Sequence, residues 1–426
     1  MGNRDPERTP RIYIETYGCT SNQADSDIMR GLVKRYFRLS DFEGCDIAII
    51  NSCGVIEHTE RKILRRLAEI KGTGKRVILA GCLPRITRNN GACDGMLTPD
   101  NLNFLPDVVK AILKGEKAEF KERRNLDKSD LRCLKERVRE NRIAIVSISE
   151  GCVGSCSYCA ARLARGKLFS FKPENIVEEV KMAVEDGYKE IQLTSQDTAA
   201  YGLDSGRNLP ELLEEISKVK GDFRVRVGMM NPNNALRILD GLIEAFKSEK
   251  IYKFLHLPLQ SGDDEILKKM RREYTLDEFL EVVKRFRKEF SDLVLSTDII
   301  VGFPGEDDES FLRSYQTIER IRPDIVNITR FSRRENTEAA KLKDMPDWIK
   351  KERSRKLTEL AKQIGKENNS KHLGKKYRVL VTKKGKRGYL SRTNSYRPVI
   401  LDWAMLGKFY DARIVDYTFN YLRGEI

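Results

Sequence analysis

Cys152, Cys156 and Cys159 stand in the run Gly151-Cys-Val-Gly-Ser-Cys-Ser-Tyr-Cys-Ala160, a C-x₃-C-x₂-C spacing. Three thiolates this close in sequence can converge on one iron–sulfur cube and leave its fourth iron without a protein ligand. An open iron is a place where a small molecule binds and takes up an electron. Electron-carrying clusters use other spacings and four Cys, and no fourth Cys accompanies this run. The alternatives are a zinc site or three plain thiols of a reduced protein. Zinc favours C-x₂₋₄-C pairs closed by a distant second pair or by His, and neither follows here.

Three further cysteines, Cys19, Cys53 and Cys82, each follow a predicted strand, in Tyr17-Gly18-Cys19, Asn51-Ser52-Cys53 and Ala80-Gly81-Cys82. In a parallel sheet the C-terminal ends of neighbouring strands share one edge, so these side chains can converge despite their separation in sequence. A second cluster and three buried apolar cysteines are both open readings of this spacing. Cys45, Cys93 and Cys133 fit neither set.

The elements that must hold these residues read as two α/β series. Arg11–Tyr17, Asp46–Asn51 and Arg76–Ala80 are predicted strands, with helical periodicity over Asn22–Tyr36 and Glu57–Lys71 between them, which gives a βαβαβ order and a parallel sheet. Asp94–Leu97 extends the series, followed by a helix over Pro106–Lys114. Residues 1–116 are assigned to this domain. Residues 117–141 are charge-rich, without a clear period, and are assigned to a linker. From 142 to 370 six strands alternate with helices: Ile143–Ile148, Glu190–Thr194, Arg224–Val227, Lys253–Leu257, Val294–Val301 and Ile325–Arg330. Helices are expected near Pro173–Asp186, Leu209–Val219, Ala235–Phe246, Leu276–Glu289 and Glu309–Arg320, and a long charged one over Trp348–Asn368. Six such units suggest a partly closed β/α barrel, whose ligand-bearing loops follow the strands; the Cys152 triplet follows the first strand. Residues 371–426 change to five short strands, a small basic β-barrel of the nucleic-acid-binding kind.

Composition narrows the partners. The chain has 426 residues and a net charge of +15, which points to a polyanion or to a highly charged, soluble surface. Residues 372–426 hold 12 Lys and Arg against 4 Asp and Glu, a local excess that a merely solvated face would not concentrate. No apolar run approaches a membrane span, and the polar stretch Gly2 to Pro10 is no signal peptide. A cytoplasmic protein with its nine Cys kept reduced is therefore expected.

With these residues in view, the chain resembles the methylthiotransferase branch of the radical S-adenosylmethionine (SAM) enzymes over essentially its whole length. Family-like stretches include YGCTSNQADSDIM (Tyr17–Met29), NSC (Asn51–Cys53), AGC (Ala80–Cys82), GCVGSCSYC (Gly151–Cys159), LTSQDTAAYG (Leu193–Gly202), RVGMMNP (Arg226–Pro232), LHLPLQSGDDEILKKMRREY (Leu255–Tyr274) and STDIIVGFPGE (Ser296–Glu306). TSNQADS, RVGMMNP and MRREY resemble the archaeal and eukaryotic members that methylthiolate threonylcarbamoyladenosine in tRNA. The resemblance implies a flavodoxin-like N-terminal domain, a radical SAM partial barrel and a C-terminal, OB-like TRAM barrel.

It also implies roles. Cys152, Cys156 and Cys159 would hold the radical SAM [4Fe-4S] cluster, whose open iron chelates SAM and passes the electron that releases a 5′-deoxyadenosyl radical. Cys19, Cys53 and Cys82 would hold an auxiliary [4Fe-4S] cluster carrying the inserted sulfur. One SAM would methylate that sulfur and a second would activate C2 of the adenine. Tyr158 would pack near the SAM adenine, and Gln196 and Asp197 would reach its ribose or amino group. Arg226 would pair its carboxylate, with Gln260 and Asp298 also at strand ends. For each polar candidate, helix capping or barrel-mouth hydrogen bonding is the competing reading. Two departures stand out: Arg333-Arg334-Glu335-Asn336-Thr337-Glu338 replaces the family's Arg-Pro-Gly-Thr-Pro turn, and Ala160–Arg165 is less basic than in relatives.

The expected activity is methylthiolation of tRNA beside the anticodon, with the basic barrel gripping the anticodon arm. Other readings are isopentenyladenosine as the target base, an aspartate of a ribosomal protein as the target, and an RNA-binding protein with structural or redox-sensing clusters. A low-potential electron-donor protein is expected, and a monomer; the sulfur donor is left open.

Overall fold

A computed structural model describes residues 9–87, 91–137 and 141–426; most of the stretch Gly2 to Pro10, and residues 138–140 of the expected linker, lie outside them. The described residues form two compact units. The first holds those up to 137 together with Cys159–Phe169 and Arg334–Thr337; the second holds the remainder from 141.

In the first unit six strands, β1 (Arg11–Thr16), β2 (Arg38–Leu39), β3 (Ile47–Ser52), β4 (Arg76–Gly81), β5 (Gly95–Leu97) and β6 (Ala118–Phe120), form one sheet in the order β2-β1-β3-β4-β5-β6. Every pairing is parallel. Such a sheet needs both faces covered, and β3 is buried at all of its residues. Ile47 and Ile49 pack with Ile28, Met29 and Leu32 of the helix Thr20–Tyr36 and with Val108 and Ile112 of the helix Leu105–Leu113. Ala48 and Ile50, one residue out of phase, pack with Ile63, Leu67 and Ile70 of the helix Glu57–Gly72. The sheet is therefore doubly wound, as the flavodoxin-like expectation required. Two short strands, β2 and β6, were not legible in the pattern. β6 lies in the stretch assigned to a linker, as does the 3₁₀ helix Lys128–Leu134, whose Lys128 is buried.

In the second unit, β7 (Ile143–Ser147), β8 (Glu190–Thr194) and β9 (Arg224–Arg226) pair in parallel, as do β10 (Phe254–His256), β11 (Val294–Val301) and β12 (Ile325–Arg330). A bridge between Val225 and Ile251 and the Met230 N–H to His256 carbonyl bond of 3.0 Å join the two sets. The six strands thus run side by side in chain order, the arc of a partial barrel. The helix expected over Ala235–Phe246 is two helices, Pro232–Arg237 and Leu239–Phe246, because Ile238 leaves helical geometry. The long charged helix spans Asp347–Ser370.

The chain ends in a closed barrel of β13 (Lys376–Gly385), β14 (Gly388–Arg392), β15 (Pro398–Leu401), β16 (Phe409–Tyr417) and β17 (Leu422–Glu425), ordered β13-β14-β15-β17-β16. Val379, Val381, Val399, Leu401, Ala412, Ile414 and Leu422 fill it. It sits against the N-terminal ends of the partial-barrel strands. The Arg142 N–H, before β7, bonds the Thr382 carbonyl at 2.9 Å, and the Lys253 N–H, before β10, bonds that of Asn394 at 2.9 Å. Arg224 of β9 lies over the Phe409 ring, and Arg397 pairs with Asp324, before β12, at 2.8 Å.

Candidate active site and cluster ligands

Cys19, Cys53 and Cys82 follow β1, β3 and β4, which are neighbours in the first sheet. Cys19 is exposed at the start of the helix Thr20–Tyr36, Cys53 is half-buried and Cys82 is buried. Burial pushes the Cys82 thiol up to about 12, with the nearby Cys19 and Cys53 adding to the rise and Arg165 opposing it. Burial also raises Cys53, and Cys19 again contributes. The three sulfurs therefore sit within each other's electrostatic reach at one sheet edge. A Cβ on Gly18, at φ +127°, would stand 2.8 Å from the Cys53 Cβ. One on Gly81, at φ +90°, would meet Asn51 Oδ1 and Ser52 O at 2.5 Å. These glycines let neighbouring strand ends approach one another.

Polar side chains fix the strand ends. Asn22 is fully buried and donates to Asn51 Oδ1 at 3.2 Å and to Ser52 O at 3.0 Å, and Cys19 Sγ lies 3.3 Å from its Oδ1. Asn51 donates back to Asn22 O at 2.7 Å and to Ser26 Oγ at 2.8 Å. Behind them Asp25 takes ion pairs from Lys128 at 2.6 Å and Arg165 at 2.8 Å, all three buried. Burial alone would raise the Asp25 carboxyl; the two cations hold it below its ordinary value. Arg165 thus turns inward to a carboxylate. The departure at 333–338 is anchored in part within this unit. Arg334 pairs with Glu60, Thr337 Oγ1 donates to Arg334 O at 2.7 Å, and Asn336 Nδ2 donates to Ile86 O at 3.3 Å.

In the second unit Cys152 and Cys156 lie on the loop after β7. A Cβ on Gly154 would stand 3.6 Å from Cys152 Sγ and 4.0 Å from Cys156 Sγ, so the two sulfurs flank an open glycine. The Gly154 N–H donates to Cys152 Sγ at 3.3 Å, and Arg272 Nη1 donates to Cys156 Sγ at 3.2 Å. Cys159, which caps the helix Ala160–Arg165, belongs to the first unit. Among the described residues no three His, Cys, Asp or Glu side chains close on a single metal ion. A cube bound through three of its irons holds its thiolates further apart than one ion does. Three thiolates without a fourth suit such a cube, and charge-assisted donors to sulfur suit its anionic ligands.

The polar candidates at the partial barrel divide by what they already do. Gln196 Oε1 accepts the Gly151 N–H at 2.6 Å, pinning the Cys152 loop. Asp197 is buried, caps a 3₁₀ turn through the Ala199 N–H, and accepts from the Asn231 N–H at 2.9 Å and Asn234 Nδ2 at 2.7 Å. Burial raises its carboxyl; the capping alternative describes its geometry. Tyr158 packs edge-on to Phe303, 6.2 Å between centroids. Burial would raise Asp298, but His256, with Nε2 3.1 Å from Oδ1, and Asn327 at 2.7 Å hold it below its ordinary value. Gln260 stands at φ 66° with Oε1 buried and, among the described residues, without a hydrogen-bond partner. Arg226 lies over the Phe254 ring at 5.2 Å, its Nε likewise unpartnered. Buried polar atoms left unsatisfied are what a ligand would complete. Sequence reasoning passed over Asn22, Asp25, Asn51, His256 and Arg272. The legible signal was a polar stripe, Asn22, Asp25 and Ser26, at the core-facing spacing of an otherwise ordinary helix.

Comparison with known proteins agrees part by part. Residues 11–92 match the Uncharacterized protein family UPF0004, residues 146–318 the Radical SAM superfamily and residues 371–426 the TRAM domain. A "probable threonylcarbamoyladenosine tRNA methylthiotransferase" of Archaeoglobus fulgidus is 58% identical over 98% of both chains. The threonylcarbamoyladenosine tRNA methylthiotransferase of Drosophila melanogaster is 34% identical over 98% of this chain and 78% of its own. Among solved structures, the radical SAM methyltransferase TsrM from Kitasatospora setae shares the fold at TM-score 0.60, with 12% identity over 78% of this chain and 74% of that one. Identity this high over nearly the full length, on a partial barrel opened by a cysteine triplet, makes the chain a member of the radical SAM methylthiotransferase family of enzymes.

Proposed function

We propose that this enzyme acts on tRNA, replacing the C2 hydrogen of an N6-threonylcarbamoyladenosine beside the anticodon with a methylthio group, with two [4Fe-4S] clusters and two SAM molecules. The observation that carries this reading is the second thiol triad. Cys19, Cys53 and Cys82 share one sheet edge, where burial raises the Cys53 and Cys82 thiols and the nearby Cys19 adds to both rises. One open cluster suffices to reduce SAM; a second set of three thiolates supplies an iron free to carry sulfur. Bound together, clusters and SAM supply the one-electron chemistry for an aromatic C–H bond that no acid–base pair removes near neutral pH.

Cys152, Cys156 and Cys159 would hold one cluster and Cys19, Cys53 and Cys82 the other. Cys82 must lose its proton to ligate, and the Arg165 cation favours that loss. Gln196 would keep the Cys152 loop in place, while Asp197 would position the segment at Asn231. Arg226, Gln260 and Asp298 would meet SAM, with Tyr158 against its adenine. The names of the relatives at 58% and 34% identity support the threonylcarbamoyl substrate. The basic surplus of residues 372–426 supports an RNA grip, which leaves a single flipped base to enter the barrel. The enzyme would work as a cytoplasmic monomer fed by a low-potential electron-donor protein.

The test is mass spectrometry of tRNA nucleosides from cells lacking the protein. Loss of 2-methylthio-threonylcarbamoyladenosine, with its unthiolated precursor accumulating, is expected. Loss of the isopentenyl counterpart, or of a methylthio group on a ribosomal protein instead, would overturn the reading.

A further inference from the structure

The C-terminal barrel closes the end of the partial barrel opposite the cysteine-bearing loop, and one residue enters its lumen. Tyr396, in the loop between β14 and β15, is only 8% exposed. Its Oη donates to Glu190 Oε1 at 3.0 Å and accepts from Gln192 Nε2 at 3.1 Å, both on β8. Its ring lies 4.8 Å from that of Tyr252 and 4.9 Å from that of Phe254. The neighbouring Ser395 reaches Asp292, ahead of β11, at 2.8 Å. With the contacts already described, the cap touches the start of all six strands.

Two features mark Tyr396 as more than a packing residue. Its φ is 69°, in the left-handed region where a bulky side chain is a genuine outlier and Gly or Asn would be at ease. A residue held there against its backbone preference is held by its contacts. Its ring is also one of two faces against Arg226, 5.8 Å from the guanidinium carbon, with Phe254 as the other. Arg226 Nε has no hydrogen-bond partner, and no ion pair within the described residues holds the group, so the ring faces set where it points.

We propose that Tyr396 is a positioning residue, through which the C-terminal barrel forms the floor of the partial barrel and aims Arg226 at a carboxylate in the lumen. The module expected to grip RNA then also sets the affinity for SAM. This rests on the SAM contact assigned to Arg226 above, not on the identity of the modified base.

The test compares full-length Tyr396→Phe, Tyr396→Asn and Arg226→Lys. Tyr396→Phe should melt near the parent temperature and bind tRNA equally well. It should weaken SAM binding about fivefold, the effect of hydrogen bonds of ordinary strength, and speed amide exchange at residues 224–227 before clusters or SAM are added. Tyr396→Asn, suited to the left-handed turn, should nonetheless melt lower. Equal or higher stability in Tyr396→Asn would reduce Tyr396 to a turn residue and overturn the proposal. Unchanged exchange and SAM affinity in Tyr396→Phe would overturn it as well. If Arg226→Lys alone leaves SAM binding intact, the assigned SAM contact fails, and exchange and melting still judge the floor.

Discussion

Asp25 shows how a single residue holds the first cysteine site together. It accepts charge-assisted bonds from Lys128, 103 residues away, and Arg165, 140 residues away. Asp25→Asn keeps the shape but removes the charge, and breaking such a buried pair costs about 3 kcal/mol. We expect a lower denaturant midpoint at unchanged slope; an unaltered midpoint would show the triad to be energetically idle. The cysteines were legible by their local spacing or by their place at strand ends. Asp25 was not, because its partners come from distant segments, one of them in the stretch read as a linker. Gln196 and Asp197 were legible as polar residues at a strand end, but spacing cannot tell a ligand contact from a cap.

At the scale of elements, His372 links the long helix to the C-terminal barrel, with Nδ1 2.5 Å from Tyr377 Oη. Burial, reinforced by the nearby Arg397 and Lys375 charges, lowers its pKa from 6.5 to about 4. The unfolded chain therefore binds a proton that the folded chain refuses between those values. This contribution to stability is full above about pH 6.5 and is lost as the pH falls toward 4. His372→Gln, which cannot titrate, should flatten the dependence of the melting temperature over that window; an identical slope would remove His372 from the account. Longer strands, such as Val294–Val301, have the bounds that the sequence predicts. β2 and β6 do not, since two or three residues have no period. The turn at 333–338 lacks the prolines that stiffen the family's turn. Ion pairing of Arg334 with Glu60 and the bond from Thr337 supply restraint of another kind.

For the whole molecule, the order of parts was legible in the switch from helix-strand alternation to short basic strands. The seating of the last barrel on the rim of the previous one was not, because each contact joins residues far apart in sequence. That seating predicts the result of removing residues 371–426. Tyr252 and Phe254 would lose their cover, at about 2 kcal/mol for each large apolar side chain exposed. The remainder should bind hydrophobic dye and lose near-ultraviolet circular dichroism while keeping its helices. A shortened chain that melts cooperatively at the parent temperature would contradict this.

The same seating bears on how the chain matures during synthesis. Domains emerging from a ribosome generally fold in order from the N-terminus, yet neither half of this protein is complete when its own strands are made. The first unit waits for Cys159–Phe169 and then for Arg334–Thr337, and the partial barrel waits for the loop that carries Tyr396. The cysteine-bearing strand ends and loop translated early therefore reach their folded surroundings only after these later segments have emerged.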